Sequence, residues 1–160
     1  MMSVPPASTL LIVNPAAGGG RAARALDRVL EELAPLRPFD VHVTQPGEVR
    51  PAERAAREAV LAGVERIFVL GGDGSCSQAV NGAYAAGGAE ALARVAFGFI
   101  PAGTGRDYAR SAGIPRDPVA AARTLARGAA AAGGRIDDQD RSRTIHPCTL
   151  TERTLTWRCR

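Results

Sequence analysis

The feature that most constrains this chain is a hydrophobic period that switches back and forth, short apolar runs giving way to helical stripes. Thr9 to Val13 is a continuous apolar run, too short for a buried helix and bounded by Asn14-Pro15, so it reads as a central strand. From Arg24 to Ala34 the period changes. Leu26, Val29, Leu30 and Leu33 recur at i, i+3, i+4 and i+7, one apolar stripe on a helix that Pro35 ends. Phe39 to Thr44 alternates Phe39, Val41 and Val43 with polar partners, a half-buried strand closed by Gln45-Pro46-Gly47. A helix opens at Pro51 and ends near Gly63. Arg66 to Leu70 is again a short apolar strand, stopped by Gly71-Gly72-Asp73-Gly74. Ser77 to about Ala86 reads as helix, with Ala79, Val80 and Ala83 spaced to face a sheet, and Val95 to Ile100 as a fourth strand. After a turn of helix from Asp107 to Ala112, Asp117 caps a helix with Pro118 at its first position, running to about Arg127.

Four such alternations predict an α/β fold: a parallel sheet with right-handed crossovers and helices on both faces, a three-layer, Rossmann-like nucleotide-binding domain. Loops leaving the strand carboxyl ends of such a sheet emerge on one edge, where ligands bind. Three of them here are glycine-rich, 14–20, 71–75 and 101–107, and are expected to converge. Glycine brings a ligand close to the backbone and tolerates the positive φ that turns successive N–H groups toward one point. A helix starting after the turn adds unpaired amides and its positive dipole end, so the site prefers phosphate. Asp73 would repel phosphate unless a metal or a donating hydroxyl lies between, which points toward a Mg²⁺-nucleotide. A tight strand-to-helix turn explains any one loop equally well; three in register favour a ligand site.

Composition narrows the chemistry. All 20 basic residues are Arg, which excludes a Walker A Lys, a protein-kinase strand Lys, a Schiff-base Lys and a Ser-x-x-Lys pair. Carboxylates, hydroxyls, backbone amides, Arg or a metal must do the work. Against 16 acids the net charge is +4, and 15 Arg against 12 acids over positions 1–136 give +3, with no segment concentrated like a nucleic-acid groove. No nucleic-acid partner is expected. Three cysteines, Cys76, Cys148 and Cys159, are too few for a disulfide framework. The first residues lack a basic region followed by an apolar one, and no stretch approaches the ~18 apolar residues of a membrane helix, so a cytoplasmic location is expected.

Four motifs carry a resemblance. Asn14-Pro15-Ala16-Ala17-Gly18 after the first strand, Gly71-Gly72-Asp73-Gly74-Ser75 after the third, Asn81-Gly82 in the next helix and Gly103-Thr104-Gly105-Arg106-Asp107-Tyr108-Ala109-Arg110 after the fourth resemble, in order and spacing, the catalytic domain of the diacylglycerol kinase and sphingosine kinase lipid-kinase family. The resemblance covers about Thr9 to Asp137. It implies an ATP site across the three loops: Gly71, Gly72, Asp73, Gly74 and Ser75 around the triphosphate, Gly18 in the first loop, Asn14 and Thr44 on the nucleotide side, Gln78 beside it, Gly103 and Thr104 near the phosphates. It further implies that Asp73, Asp107 and Asp137 form a carboxylate network toward Mg²⁺, with Asp73 and Asp107 catalytic. The γ-phosphoryl group would pass to a lipid hydroxyl such as that of diacylglycerol, with transient contact at a membrane surface. Arg could supply charge neutralisation in place of Lys. The sequence sets no oligomeric state.

The sequence departs from the family in places. Ser75 stands where Thr is usual, Ser77-Gln78 where the family has Asn-Glu, and Arg106 where it has Asn; the missing Glu is expected to weaken nucleotide or metal affinity, and Arg106 to pair with Asp107 or a phosphate. The family carries a second, β-sandwich domain after an Arg-x-Ile-Asp strand, matched here by Arg135-Ile136-Asp137. Only 160 − 137 = 23 residues follow. The expected organisation is therefore residues 1–8 disordered, 9–137 the nucleotide-binding domain without the sandwich, and 138–160 a disordered non-family tail arising from a shifted reading frame or truncation, which the coding DNA would reveal. His146, Cys148 and Cys159 are too irregularly spaced to read as a metal site. Such a chain is expected to keep ATP binding with little or no turnover. The alternatives are an NAD kinase-like enzyme, which shares Gly-Gly-Asp-Gly, or an inactive nucleotide-binding fragment.

Overall fold

The structure is a computed structural model that describes residues 8–105 and 107–131. Four strands, β1 (Thr9–Val13), β2 (Asp40–Val43), β3 (Arg66–Gly71) and β4 (Ala96–Pro101), form one parallel sheet in the order β2-β1-β3-β4. Helices α1 (Ala17–Leu33), α2 (Pro51–Leu61), α3 (Asp73–Arg94), α4 (Asp107–Ser111) and α5 (Pro118–Ala131) fill the connections, with a short 3-10 turn at Ala34–Leu36. None of the described helices is long and apolar enough to cross a membrane.

Both faces of the sheet are covered, which is why β1, β3 and β4 read as continuous apolar runs. Leu10, Ile12, Ile67, Val69, Phe97 and Phe99 pack with Ala52, Ala55, Ala56 and Ala59 of α2 and with Ala79, Val80 and Ala83 of α3. Leu11, Val13, Phe68, Leu70 and Ile100 pack on the other face with Val29 and Leu33 of α1 and with Ala122 and Leu125 of α5. Small residues let the helices come close. A Cβ on Gly82 would lie 2.1 Å from the Glu53 carbonyl oxygen of α2, so the Asn81-Gly82 pair marks a helix crossing. On β4, a Cβ on Gly98 would fall 2.6 Å from Phe68 and 2.9 Å from Leu125; its absence seats both side chains.

Several boundaries differ from the sequence expectation. α1 begins at Ala17, but Gly18, Gly19 and Gly20 all have positive φ (63°, 64° and 85°), so the right-handed helix proper starts at about Arg21. α3 begins at Asp73, inside the glycine motif, and runs past a break at Gly87 and Gly88 to Arg94. Asp117 caps α5 as expected, its Oδ2 accepting the Ala120 N–H at 2.8 Å. β2 departs most. Its alternation suggested a buried apolar side, yet Val41 and Val43 are 43% and 38% exposed, because β2 is an edge strand and the core of that face ends over β1.

The order in which strands are laid down reverses at β1: β2 lies on one side of it and β3 on the other. The connecting helices change face at the same point, α1 on one side of the sheet and α2 and α3 on the other, as crossovers of one hand require. The crevice beyond the carboxyl ends of β1 and β3 is the topological switch point.

Candidate functional site

Three segments leave the sheet at this crevice, and each touches the other two. From the first, Asn14 donates its Nδ2 N–H to the Ser75 hydroxyl at 3.2 Å, while its Oδ1 accepts the Ala16 N–H at 3.2 Å. Asn14 thus rigidifies its own turn and ties it to α3. Gly18 meets the third segment: a Cβ there would lie 1.9 Å from the Ala102 carbonyl oxygen, and its φ of 63° strains any other residue. The second and third segments meet through Gly72 and Gly103, where a Cβ on Gly103 would stand 2.7 Å from the Gly72 Cα. Below that contact the Ala102 N–H donates to the Gly71 carbonyl at 2.8 Å.

Asp73 makes the outermost link. Its Oδ2 accepts the Asp107 N–H at 3.2 Å and would lie 3.2 Å from a Cβ on Gly105. Asp107 pairs through Oδ1 with the Arg110 guanidinium at 3.4 Å, and both side chains are exposed. Tyr108 packs edge-on against Phe99, with centroids 4.7 Å apart at 80°, which anchors α4 to the sheet. Asp73 and Asp107 therefore lie side by side, both exposed, where the second and third segments meet. Among the described residues, no three His, Cys, Asp or Glu side chains gather to hold a metal ion on their own. A Mg²⁺ here would need water or phosphate oxygens beside one or two carboxylates, which is its usual habit.

α3 starts on Gly72, in extended backbone, with no side-chain cap. Its first-turn amides thus have no capping oxygen from the N-cap residue, and the helix dipole adds positive potential at the same place. Beyond its chain neighbours and its own helix backbone, no atom of the described residues lies within 4 Å of the position a Cβ would take on Gly74, so that side of the first turn is open. Ser75 is buried and holds Asn14; Gln78, one turn on, is half-buried. Thr44 is buried at the end of β2, its N–H donating to the Val13 carbonyl at 2.9 Å, and Thr104 is exposed. Cys76 lies directly behind the turn, where burial pushes its thiol pKa well above the ordinary range and the nearby Asp73 carboxylate adds to the effect.

The structure thus brings together Asn14, Gly18, Gly71, Gly72, Asp73, Gly74, Ser75, Gly103 and Asp107; Thr44 sits at the neighbouring strand end, and Gln78 deeper along α3. Asp137 and Arg106 lie outside the described residues, as do 1–7 and 132–160. Sequence reasoning missed Ala102, whose carbonyl packs on Gly18, and Arg110 as the partner of Asp107. Ala102 carries no signal in its side chain. Arg110 stood three residues after Asp107 on a helical turn, a spacing that could have flagged it.

The diacylglycerol kinase catalytic domain family matches residues 8–134. The chain is 35% identical over 112 residues to a diacylglycerol kinase of Mycobacterium tuberculosis, covering 69% of this chain and 34% of that protein. It is 36% identical over 123 residues to a diacylglycerol kinase of Bacillus subtilis, covering 75% and 38%. A crystal structure of a diacylglycerol kinase from Bacillus anthracis superimposes with a TM-score of 0.66 at 28% identity, covering 78% of this chain and 45% of that one. The chain spans about a third of the length of these curated relatives. With a family match over most of its length, and with its glycine loops meeting at the switch point of a parallel sheet, the chain belongs to the diacylglycerol kinase catalytic domain family.

Proposed function

We propose that this chain is the nucleotide-binding part of a lipid kinase, holding Mg-ATP across the crevice at the ends of β1, β3 and β4. The carrying observation is the Gly72–Gly103 contact, which brings two loops together with only hydrogens between their Cα atoms and leaves the uncapped first turn of α3 facing the opening. The residues fit the ligand. Backbone amides of Asp73, Gly74 and Ser75 would take the phosphates, and the open side of Gly74 gives them room. Asn14 and Thr44 would border the nucleotide, with Gln78 beside them and Thr104 on the phosphate side. Asp73 and Asp107 would hold Mg²⁺ through water, and Arg110 would balance the charge of Asp107. When bound, Mg²⁺ supplies neutralisation of the phosphate oxygens, and the protein's share is positioning.

The acceptor would be a lipid hydroxyl, as the names of the relatives suggest for those proteins. On this reading the chain binds ATP and transfers its phosphoryl group poorly. Isothermal calorimetry with Mg-ATP is the test: binding is expected for the parent and weakened about tenfold or more in Gly74→Ala, whose methyl meets no neighbouring segment among the described residues. No binding by the parent, or equal binding by the variant, refutes the assignment.

A further inference from the structure

The turn that opens α1 has a backbone that its own side chains cannot fix. Gly18, Gly19 and Gly20 have φ values of 63°, 64° and 85°, so three residues in a row turn with a left hand before the right-handed helix begins. Glycine reaches this region without strain, but it also loses more freedom than any other residue when held there. Of the three, Gly18 is held by packing. A Cβ on Gly18 would strike the Ala102 carbonyl, whereas beyond its chain neighbours and its own helix backbone no atom of the described residues lies within 4 Å of that position on Gly19. The backbone adds little, because the Gly20 N–H reaches the Ala16 carbonyl at a long 3.4 Å. The Arg24 side chain supplies what is missing. Its Nη1 donates to the Gly19 carbonyl at 3.2 Å and would lie 3.1 Å from a Cβ on Gly20, so one guanidinium rests on the last two glycines.

We propose that Arg24 is a positioning residue for the phosphate end of the site: it holds the three-glycine turn in the form that a triphosphate meets. The proposal rests on the nucleotide reading above. Spacing makes the contact specific to the left-handed turn. In a right-handed helix residues three and four apart are neighbours, and Gly19 and Arg24 are five apart, so the reversed hand is what brings the carbonyl to the guanidinium. Carbonyls of a helical turn point along the chain direction and N–H groups against it. With the Gly19 carbonyl held toward Arg24, the N–H groups of the turn point back to the sheet edge, where Gly18 meets Ala102. Among the described residues no acidic side chain pairs with Arg24, so its charge also stays on the turn. A turn already ordered needs no further ordering when phosphate arrives, whereas a loose one loses affinity to that step.

The test compares the full 160-residue chain with Arg24→Met, which keeps a long stem without donor or charge, and with Arg24→Lys, which keeps both. Nitrogen NMR relaxation of the nucleotide-free proteins reads the turn directly. Backbone order parameters at Gly19 and Gly20 are expected at about 0.85 in the parent and in Arg24→Lys, and below about 0.6 in Arg24→Met. Calorimetry reads the consequence: Arg24→Met weakens Mg-ATP about tenfold and leaves adenosine, which has no phosphate, unchanged, while Arg24→Lys restores Mg-ATP. An Arg24→Met protein whose glycines stay ordered, or whose Mg-ATP affinity is unchanged, overturns the inference. So does an equal loss of adenosine, which marks general damage to the fold, or a lysine variant as weak as the methionine one. A parent that binds no Mg-ATP sinks the nucleotide reading and this one with it; every other failure leaves that reading standing.

Discussion

Replacing Gly74 by Ala should make this protein more stable and a worse nucleotide binder, and the opposite signs are what give the experiment its force. Gly74 lies in the first turn of α3 with ordinary helical backbone, and among the described residues a Cβ there meets no other segment or side chain within 4 Å. The folded state thus accepts the methyl without strain, while the unfolded chain loses freedom, a gain of about 0.5–1 kcal/mol. For a domain of this size that is a rise in melting temperature of about 2–6 °C. If phosphate oxygens sit against the first-turn amides, the same methyl stands between them and the backbone. Displacing a phosphate group from those amides should weaken Mg-ATP binding by about tenfold or more, equivalent to ~1.4 kcal/mol. Gly103→Ala is the contrasting variant. Its methyl lies 2.7 Å from the Gly72 Cα, where carbon atoms need ~3.5–4.0 Å, so the two loops must part by about 1 Å. Overpacking of this kind costs about 1–3 kcal/mol, so stability and affinity fall together. Thermal melts without nucleotide and calorimetry with Mg-ATP read both quantities. A Gly74→Ala protein that melts higher but binds ATP as tightly as its parent would refute the placement of phosphate on this turn.

Gly82→Ala drives a methyl into the Glu53 backbone of α2, and should cost about 1–3 kcal/mol in urea unfolding; an unchanged midpoint would mean that the two helices slide apart freely. Glu48 accepts the Gln45 N–H at 2.7 Å and pairs with Arg54, which together hold its pKa below the usual glutamate value. A depressed folded pKa contributes stability that is present above the unfolded value of about 4.3 and is lost as pH falls through the folded one. The stability difference between parent and Glu48→Gln should therefore be visible at neutral pH and vanish in acid; a difference that persists at low pH contradicts it. Cys76 should resist a thiol reagent in the folded protein with Cys148 and Cys159 replaced by Ser, and react on unfolding; prompt labelling of the native chain would mean the α3 turn opens readily.

The fold was legible because a doubly covered parallel sheet leaves a pattern that length can arbitrate. Thr9–Val13 and Arg66–Gly71 are too short for helices and too apolar for loops, so they could only be central strands. β2 misled for the opposite reason. Alternation tells which residues share a face, but not whether a helix covers that face, and at the sheet edge the core stops short of Val41 and Val43. α3 was placed late because glycines 71, 72 and 74 read as loop punctuation. In the structure the turn ends at Gly72, and Asp73 and Gly74 are already helix, so glycine here makes room outside the helix rather than ending it.

The site was legible only as a meeting of loops. Strand order and glycine position imply that segments 14–20, 71–75 and 101–107 converge, but which atoms touch depends on offsets of an ångström set by the packed sheet. Those offsets change the meaning of individual residues. Asn14 and Ser75 hold each other, Gly18 seats the Ala102 carbonyl, and Asp73 accepts the Asp107 N–H, so each of them keeps the loops assembled whether or not it also touches a ligand. A loss of binding after substituting any of these would not separate the two roles. Gly74 differs, because no described side chain or neighbouring segment uses the space beside it. An open position in a turn where every neighbour is engaged is where a ligand contact can be read apart from the scaffold that presents it.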